Sequence, residues 1–434
     1  MTTTSNDNDA GVGDTVPMQR VPMQRVAMQR GAMQRGAHAA DTTPVHRPRL
    51  VGVDATRGVA LLGMMAVHAL ISFDEEGRPT VMYSLSAGRA AAVFAVLAGV
   101  GIALLTGRCR VELGRPARRA LAVLSARAAV IGVIGLALGF ADSDIAMVIL
   151  PYYAVLFMIA VPLVLLPTPA LVTVGTAVAV GMPFLSHAVR AELPQTTGLN
   201  HSFVDLLTDP VGLLQELLLT GAYPALSWAT YVCAGIVVGR LRLQSSKAAA
   251  GLLFGGAVAA VAAIALSALL LGPLGGRPHL QIAGTGDEDV TVADILVFGA
   301  DGVTPTTTTW WLAVQAPHTA TPLDLLHTTG TAVALLGALL LLGHVATPVL
   351  RRAIDLVLTP LAAAGSMTLT LYTAHIVFMN SPLDDFDATP GYLVQAVAAL
   401  LFALGWRQVV GRGPLETLTA WTARQAAGAG RRRS

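Results

Sequence analysis

Ten stretches of this chain are long enough and apolar enough to cross a bilayer, and that fact limits the fold more than any other. A span of about 20 apolar residues covers the hydrocarbon core when helical, and in lipid a helix satisfies its own backbone polar groups. The stretches lie near residues 50–73, 86–107, 119–140, 145–166, 169–189, 221–240, 248–272, 327–346, 355–379 and 391–411. The fourth and fifth are separated only by LPTP, whose two prolines mark a tight connection or a kink. Composition agrees, because 54% of the 434 residues are hydrophobic and only 12% charged, about half the charged share of a soluble globular chain. The expected fold is all-α: a polytopic membrane protein with about ten transmembrane helices.

Charge distribution orients these helices. Loops retained in the cytoplasm carry the excess of arginine and lysine. The tail before residue 50, the loop with Arg108, Arg110, Arg115, Arg118 and Arg119, the loop with Arg240, Arg242 and Lys247, the pair Arg351 and Arg352, and the RRRS terminus all alternate onto one side. Most acids fall on the other: Asp74, Glu75 and Glu76; Asp142 and Asp144; Asp287 to Asp289; Asp384, Asp385 and Asp387. Both termini are therefore expected inside. Lys247 is the only lysine among 28 basic residues, a bias typical of a GC-rich bacterial genome, so the expected location is a bacterial plasma membrane. The formal charge of +2 hides this segregation, and no nucleic-acid partner is expected.

Three regions follow. Residues 1–48 contain VPMQR VPMQR VAMQR GAMQR, a short repeat with no core-forming period and no signal-peptide core, and read as a disordered basic tail. Its four arginines make a sparse patch for anionic lipid. Residues 49–412 form the transmembrane domain, with an outer segment, 273–326, long enough for a small cap; it includes GTGDEDV and TPTTTTWW. Residues 413–434 are expected as a cytoplasmic C-terminal tail. Cys109 and Cys233 lie in different segments, so no disulfide is indicated.

Chemistry concentrates in the first span, RGVALLGMMAVH, where Arg57 is followed by ten residues without charge and then by His68. On an α-helix, positions eleven apart share a face to within about 20° and stand about 16 Å apart along the axis. Asp54, one turn before Arg57, is placed to pair with it. An arginine near a helix end commonly snorkels to the interface, and an intramembrane histidine can simply hydrogen-bond to a neighbouring helix. Ionisable groups inside a span are nonetheless costly and usually face a cavity or pathway, and these two share one face.

Other residues carry weaker signals. His375, in LTLYTAHIVFMN, is a candidate to approach the same cavity as His68, or else to pack with Tyr372. Arg89, opening the second helix, reads as an interfacial anchor or a substrate contact. Arg127, inside the third, is placed to assist donor phosphates or to pair with Asp54. Tyr152, Tyr153, Trp228 and Tyr231 read as belt aromatics. The spacings Gly135 to Gly139 and Gly251 to Gly255 match G-x-x-x-G and suggest close helix packing. No phosphate-binding G-x-x-x-x-G-K-[ST], H-E-x-x-H or cysteine cluster is present. His187, His201, His318 and His327 show no ligand spacing on a shared face, so no metal is expected.

The segment RLVGVDATRGVALLGMMAVH resembles the first helix of transmembrane acyltransferases, in particular the acyltransferase-three family, marked by an arginine or lysine, ten residues and a histidine. The D-x-x-R-G opening, here Asp54, Arg57 and Gly58, resembles heparan-alpha-glucosaminide N-acetyltransferase and its bacterial relatives. SAGRAAAVFAVLAGVGIALL, TGAYPALSWATYVCAGIVVGRL and PLAAAGSMTLTLYTAHIVF resemble further segments of those relatives. One departure stands out. The acyl-handling histidine of the lysosomal-type enzymes lies after the first helix, where this chain reads ISFDEEGRPTVMYSLSAGR and has no histidine.

The resemblance implies an acyl-CoA-dependent acyltransferase, with acetyl-CoA or another acyl-CoA as donor substrate. A cation at the inner mouth suits the donor's phosphates, a role that falls to Arg57 with Asp54 and Arg127. His68 is the expected catalytic residue, as a base or as a covalent acyl carrier. Arg89, His375 and Tyr372 are expected beside the substrate. The expected acceptor is an envelope saccharide or glycolipid at the outer face; other partners are membrane lipid, with a homodimer left open. Two readings compete: a secondary transporter or flippase using the same Arg/His pair, and a non-catalytic partner of envelope enzymes. Transporters often show interrupted helices in matching halves, and no such repeat is visible in the sequence.

Overall fold

The computed structural model describes residues 50–194, 196 and 198–432, all of them in helices and their connections. The N-terminal repeat expected as a disordered tail lies outside the described residues. In chain order the helices are α1 (Val51–Ala69), α2 (Val81–Ser86), α3 (Arg89–Leu105), α4 (Arg115–Leu138), α5 (Leu150–Leu163), α6 (Thr168–Arg190), α7 (Phe203–Thr208) and α8 (Pro210–Gln215). A π-helical turn, Glu216–Thr220, leads to α9 (Ala225–Gly239) and α10 (Ser246–Leu271). Then come α11 (Gly276–Ala283), α12 (Val292–Phe298), a 3₁₀ turn at Thr309–Ala313, α13 (Pro322–Leu342), α14 (Pro348–Gly365), α15 (Thr368–Met379), α16 (Ala388–Val409) and α17 (Pro414–Arg432).

Six helices are long and apolar enough to cross a membrane, or up to eight if each of two bent pairs counts as one span. Helices also stand at the two other expected spans, α1 and α5, but α5 is only 14 residues long and α1 carries Asp54, Arg57 and His68. Six to eight crossings thus follow from length and composition; ten is a finer proposal.

The bent pairs are a feature that the apolar pattern concealed. The π turn and helix before it meet α9 at 54°, and α14 meets α15 at 77°. The expected single span at 355–379 is therefore two helices. Gly365 and Ser366 sit at its break, the residue types at which helices commonly kink.

Burial sets the arrangement. The α2–α3 stretch is 61% buried, against 22% for α4, 17% for α6 and 22% for α16, so α3 is central and the others present their outer faces to lipid. Small residues allow the inner helices to touch, as is usual where lipid offers no hydrophobic drive between helices. Gly99 of α3 faces Gly235 of α9, where an added Cβ would stand 2.9 Å from the Gly235 Cα. The G-x-x-x-G spacing at Gly251 and Gly255 is not a contact: both meet open space, whereas Gly256 packs against Gly330 of α13.

Two outlying regions have structure of their own. Within 273–326, Leu280, Ile295, Trp311, Val314 and Ala316 form a small separate core. The C-terminal stretch expected as a tail is a helix, α17, packed on α4 and touching α15.

Candidate active site

α1 is packed so closely on α14 that two glycines are obligatory. A Cβ on Gly58 would collide with the Leu361 carbonyl oxygen, and one on Gly365 with the Asp54 carbonyl oxygen. Gly58 of the D-x-x-R-G opening thus lets α1 sit against α14. Arg57 Nη1 donates to Asp54 Oδ1 at 3.0 Å and its Nη2 to the Leu97 carbonyl of α3 at 3.4 Å. The ion pair is partly sheltered, with side-chain exposures of 24% and 13%. Pairing between Arg127 and Asp54, the other arrangement open from the sequence, is not among the ion pairs of the described residues.

Arg57 lines a cavity of about 530 Å³ together with Arg127 of α4. Arg127 Nε is buried with no hydrogen-bond partner among the described residues, and Arg57 and Arg412 both lie within its electrostatic reach. Two guanidinium groups therefore stand in the wall of a cavity that is otherwise lined mainly by apolar residues, including Phe94, Leu97 and Phe157.

Glu416 of α17 stands in the same wall. Its Oε1 accepts from the backbone N–H of Leu369 at 2.7 Å and of Thr370 at 3.2 Å, and its Oε2 from the Thr370 hydroxyl at 2.6 Å. A carboxylate thus satisfies the free N–H groups at the start of α15, where the helix dipole favours negative charge. The start of α15 just after the break is thus capped by a residue 46 positions beyond Thr370.

At the other end of α1, His68 Nδ1 lies 3.1 Å from His375 Nε2 of α15, with the two ring planes within 6° of parallel and their centroids 5.4 Å apart. His375 Nδ1 lies 2.6 Å from Gln395 Oε1 of α16. Tyr372, one turn before His375, lines the cavity, and its hydroxyl accepts from the Ile149 N–H at 3.4 Å. The cavity wall reaches Met64 and Tyr372 but does not include His68 or His375, each one turn further along its helix.

Arg89 belongs to a different cluster. Its Nε donates to His327 Nε2 at 3.1 Å and its Nη1 to the Ser84 carbonyl at 2.6 Å, and Asp324 lies within electrostatic reach. The neighbouring Gly88 N–H donates to His318 Nε2 at 3.2 Å, and burial pushes His318 down to about 4. The expected belt aromatics are core residues instead: Tyr152, Tyr153, Trp228 and Tyr231 are 2%, 8%, 4% and 2% exposed. Their hydroxyls find partners inside, Tyr153 on the Ala91 carbonyl and Tyr231 on Thr328.

Gln395, Glu416, His318 and His327 were not singled out by spacing. Each acts across 20 to 238 residues of sequence, and helical periodicity reads along one helix only. Among the described residues no group of three or more histidine, cysteine, aspartate or glutamate side chains is placed to hold a metal ion.

The chain from residue 49 to 271 matches the family model described as heparan-alpha-glucosaminide N-acetyltransferase, catalytic. No curated protein matches the chain. The matched region runs from α1 through α10 and contains Arg57, His68, Arg89 and Arg127; His375, Gln395 and Glu416 lie beyond it.

Proposed function

Because the chain belongs to the heparan-alpha-glucosaminide N-acetyltransferase catalytic family, we propose that it moves an acyl group, most simply acetyl, from cytoplasmic acyl-CoA to a hydroxyl or amine of an envelope glycan or glycolipid at the outer face. The observation that carries this reading is the cavity beside α1, where Arg57 and Arg127 stand in a wall that is otherwise largely apolar, Met64 included, apart from the helix-capping Glu416. Arg57 and Arg127 hold the donor's phosphates, with Asp54 fixing the Arg57 guanidinium. The pantetheine arm and thioester extend along the apolar wall toward His68.

His68 then acts as general base. The acceptor O–H or N–H proton passes to His68 Nε2 as the acceptor atom bonds to the thioester carbonyl carbon. The C–S bond breaks, and the proton passes from His68 to the departing thiolate, leaving free thiol and acylated acceptor. Attack by His68 Nε2 itself, giving an acyl-imidazole, uses the same positions. Arg89 and the cap over 273–326 take the acceptor side.

The test is transfer of label from acetyl-CoA by the purified protein in detergent, with glucosamine as probe acceptor. Wild type transfers label, Arg57→Ala raises the donor KM, and His68→Ala stops transfer; transfer that His68→Ala leaves untouched rejects the mechanism.

A transporter is the second reading, favoured by the two bent helix pairs, since interrupted helices that present half-helix ends to a substrate are a transporter device. Uptake of an anionic substrate into liposomes without acyl transfer would select it.

A further inference from the structure

We infer that Gln395 is a positioning residue that sets the proton arrangement of the two histidines and thereby leaves a lone pair on His68 Nε2. The inference rests on the acyltransferase reading for its catalytic meaning, and on hydrogen bonds alone for its geometry. Gln395 is 8% exposed and His375 is 4% exposed, so their contact is shielded from water.

The chain of contacts has one consistent polarity. Gln395 Oε1 accepts, so His375 Nδ1, at 2.6 Å, carries the hydrogen. A neutral imidazole has one N–H and one lone pair, so His375 Nε2 is the acceptor toward His68. His68 Nδ1, at 3.1 Å, therefore donates, and the lone pair of His68 falls on Nε2. Among the described residues no hydrogen bond engages that nitrogen. An amide oxygen two residues removed from the reacting atom thus decides whether His68 meets its substrate as a base or as an acid.

The surroundings explain an amide at this position. The titratable groups on the elements around the pair include His318, within electrostatic reach of His68, Tyr372, one turn from His375, and Tyr392, one turn before Gln395, whose hydroxyl donates to the Leu62 carbonyl of α1 at 3.5 Å. No carboxylate or guanidinium bonds either ring among the described residues. A carboxylate in place of Gln395 would accept the same hydrogen while adding a buried charge and holding the His375 imidazolium, as the aspartate does in a Ser-His-Asp triad. A neutral acceptor keeps the order of protons and lets His68 release its proton to the leaving thiolate.

Three full-length proteins test this: wild type, Gln395→Met and Gln395→Glu. Spectra of ¹⁵N-histidine-labelled protein read the protonated nitrogen directly and need no turnover; acetyl-CoA with glucosamine gives the rate. Wild type should show His68 with Nδ1 protonated and Nε2 bare. Gln395→Met should lose that single arrangement and lower kcat about 10- to 100-fold, the effect of one hydrogen bond to a developing cation, with the donor KM unchanged. Gln395→Glu should keep the wild-type arrangement, recover most of kcat, and shift the acid limb of the pH–rate profile to higher pH. Wild-type spectra with hydrogen on His68 Nε2, a Gln395→Met protein with wild-type spectra and kcat, or a Gln395→Glu profile superimposing on wild type would each overturn the inference. If Gln395→Met fails to fold, wild type and Gln395→Glu decide. Wild-type protein with the expected spectra but no acetyl transfer would uphold the inference and overturn the acyltransferase reading.

Discussion

Removing the Glu416 carboxylate should release α17 from the membrane domain. The side chain accepts two backbone hydrogen bonds and one from a hydroxyl, at 2.7, 3.2 and 2.6 Å. Hydrogen bonds to a charged group contribute about 1.5–3 kcal/mol each, a lost helix cap costs about 1 kcal/mol, and a carboxylate at a helix N-terminus adds about 0.3–1 kcal/mol. These overlap, because the same N–H groups are counted in each, and because water reaches this partly buried site once the carboxylate is gone. A net cost of about 2–4 kcal/mol for Glu416→Ala follows, which raises the population of the opened state by about 30-fold to about 1,000-fold. Glu416→Gln keeps an acceptor oxygen for the Leu369 and Thr370 N–H groups and should cost about 1 kcal/mol. Hydrogen exchange in detergent reads this locally: amides of α17 and the first turn of α15 should exchange faster by those factors, while α3 stays unchanged. Equal protection of α17 in wild type and Glu416→Ala would show that the carboxylate does not hold α17 in place.

Other substitutions test the remaining parts. Gly58→Ala drives a Cβ into the Leu361 carbonyl; it should destabilise the protein by about 1–3 kcal/mol and weaken donor binding, read as a lower thermal midpoint and a higher acetyl-CoA KM. Met64 lines the cavity one turn before His68 on α1, so Met64→Trp should lower kcat more than it raises the donor KM, read from initial rates. His318 is held neutral by burial, with its pKa pushed down to about 4. The unfolded chain takes up that proton near its ordinary 6.5, so this contribution to stability is complete above pH 6.5, declines as pH falls, and is gone below about 4. Thermal midpoints between pH 7 and 4.5 should fall less steeply in His318→Gln than in wild type.

The first helix was the most legible part of the chain because its information is local. A constant helical period places Asp54 beside Arg57, and the structure has them 3.0 Å apart. The same period puts Arg57 and His68 on one face of an unbroken helix, Val51–Ala69. The approach of His375 to His68 was expected only from their shared end of the membrane domain; the structure places the rings in contact. What sequence could not give is whatever depends on two distant helices meeting. Arg89 is tied to His327, 238 residues away. Gln395 and Glu416 sit in helices whose patterns describe burial and not partners. The break at Gly365 and Ser366 is invisible to hydropathy, because apolar residues continue on both sides of it. The family match covers α1 through α10, so the roles proposed for residues from α15 to α17 rest on geometry alone.

Transfer across the membrane is read in proteoliposomes with labelled acetyl-CoA confined to one side and glucosamine to the other. Label should appear on glucosamine across an intact bilayer with wild type and be abolished by His68→Ala. Label appearing only when donor and acceptor share a side, or appearing equally with His68→Ala, would contradict the proposed transfer.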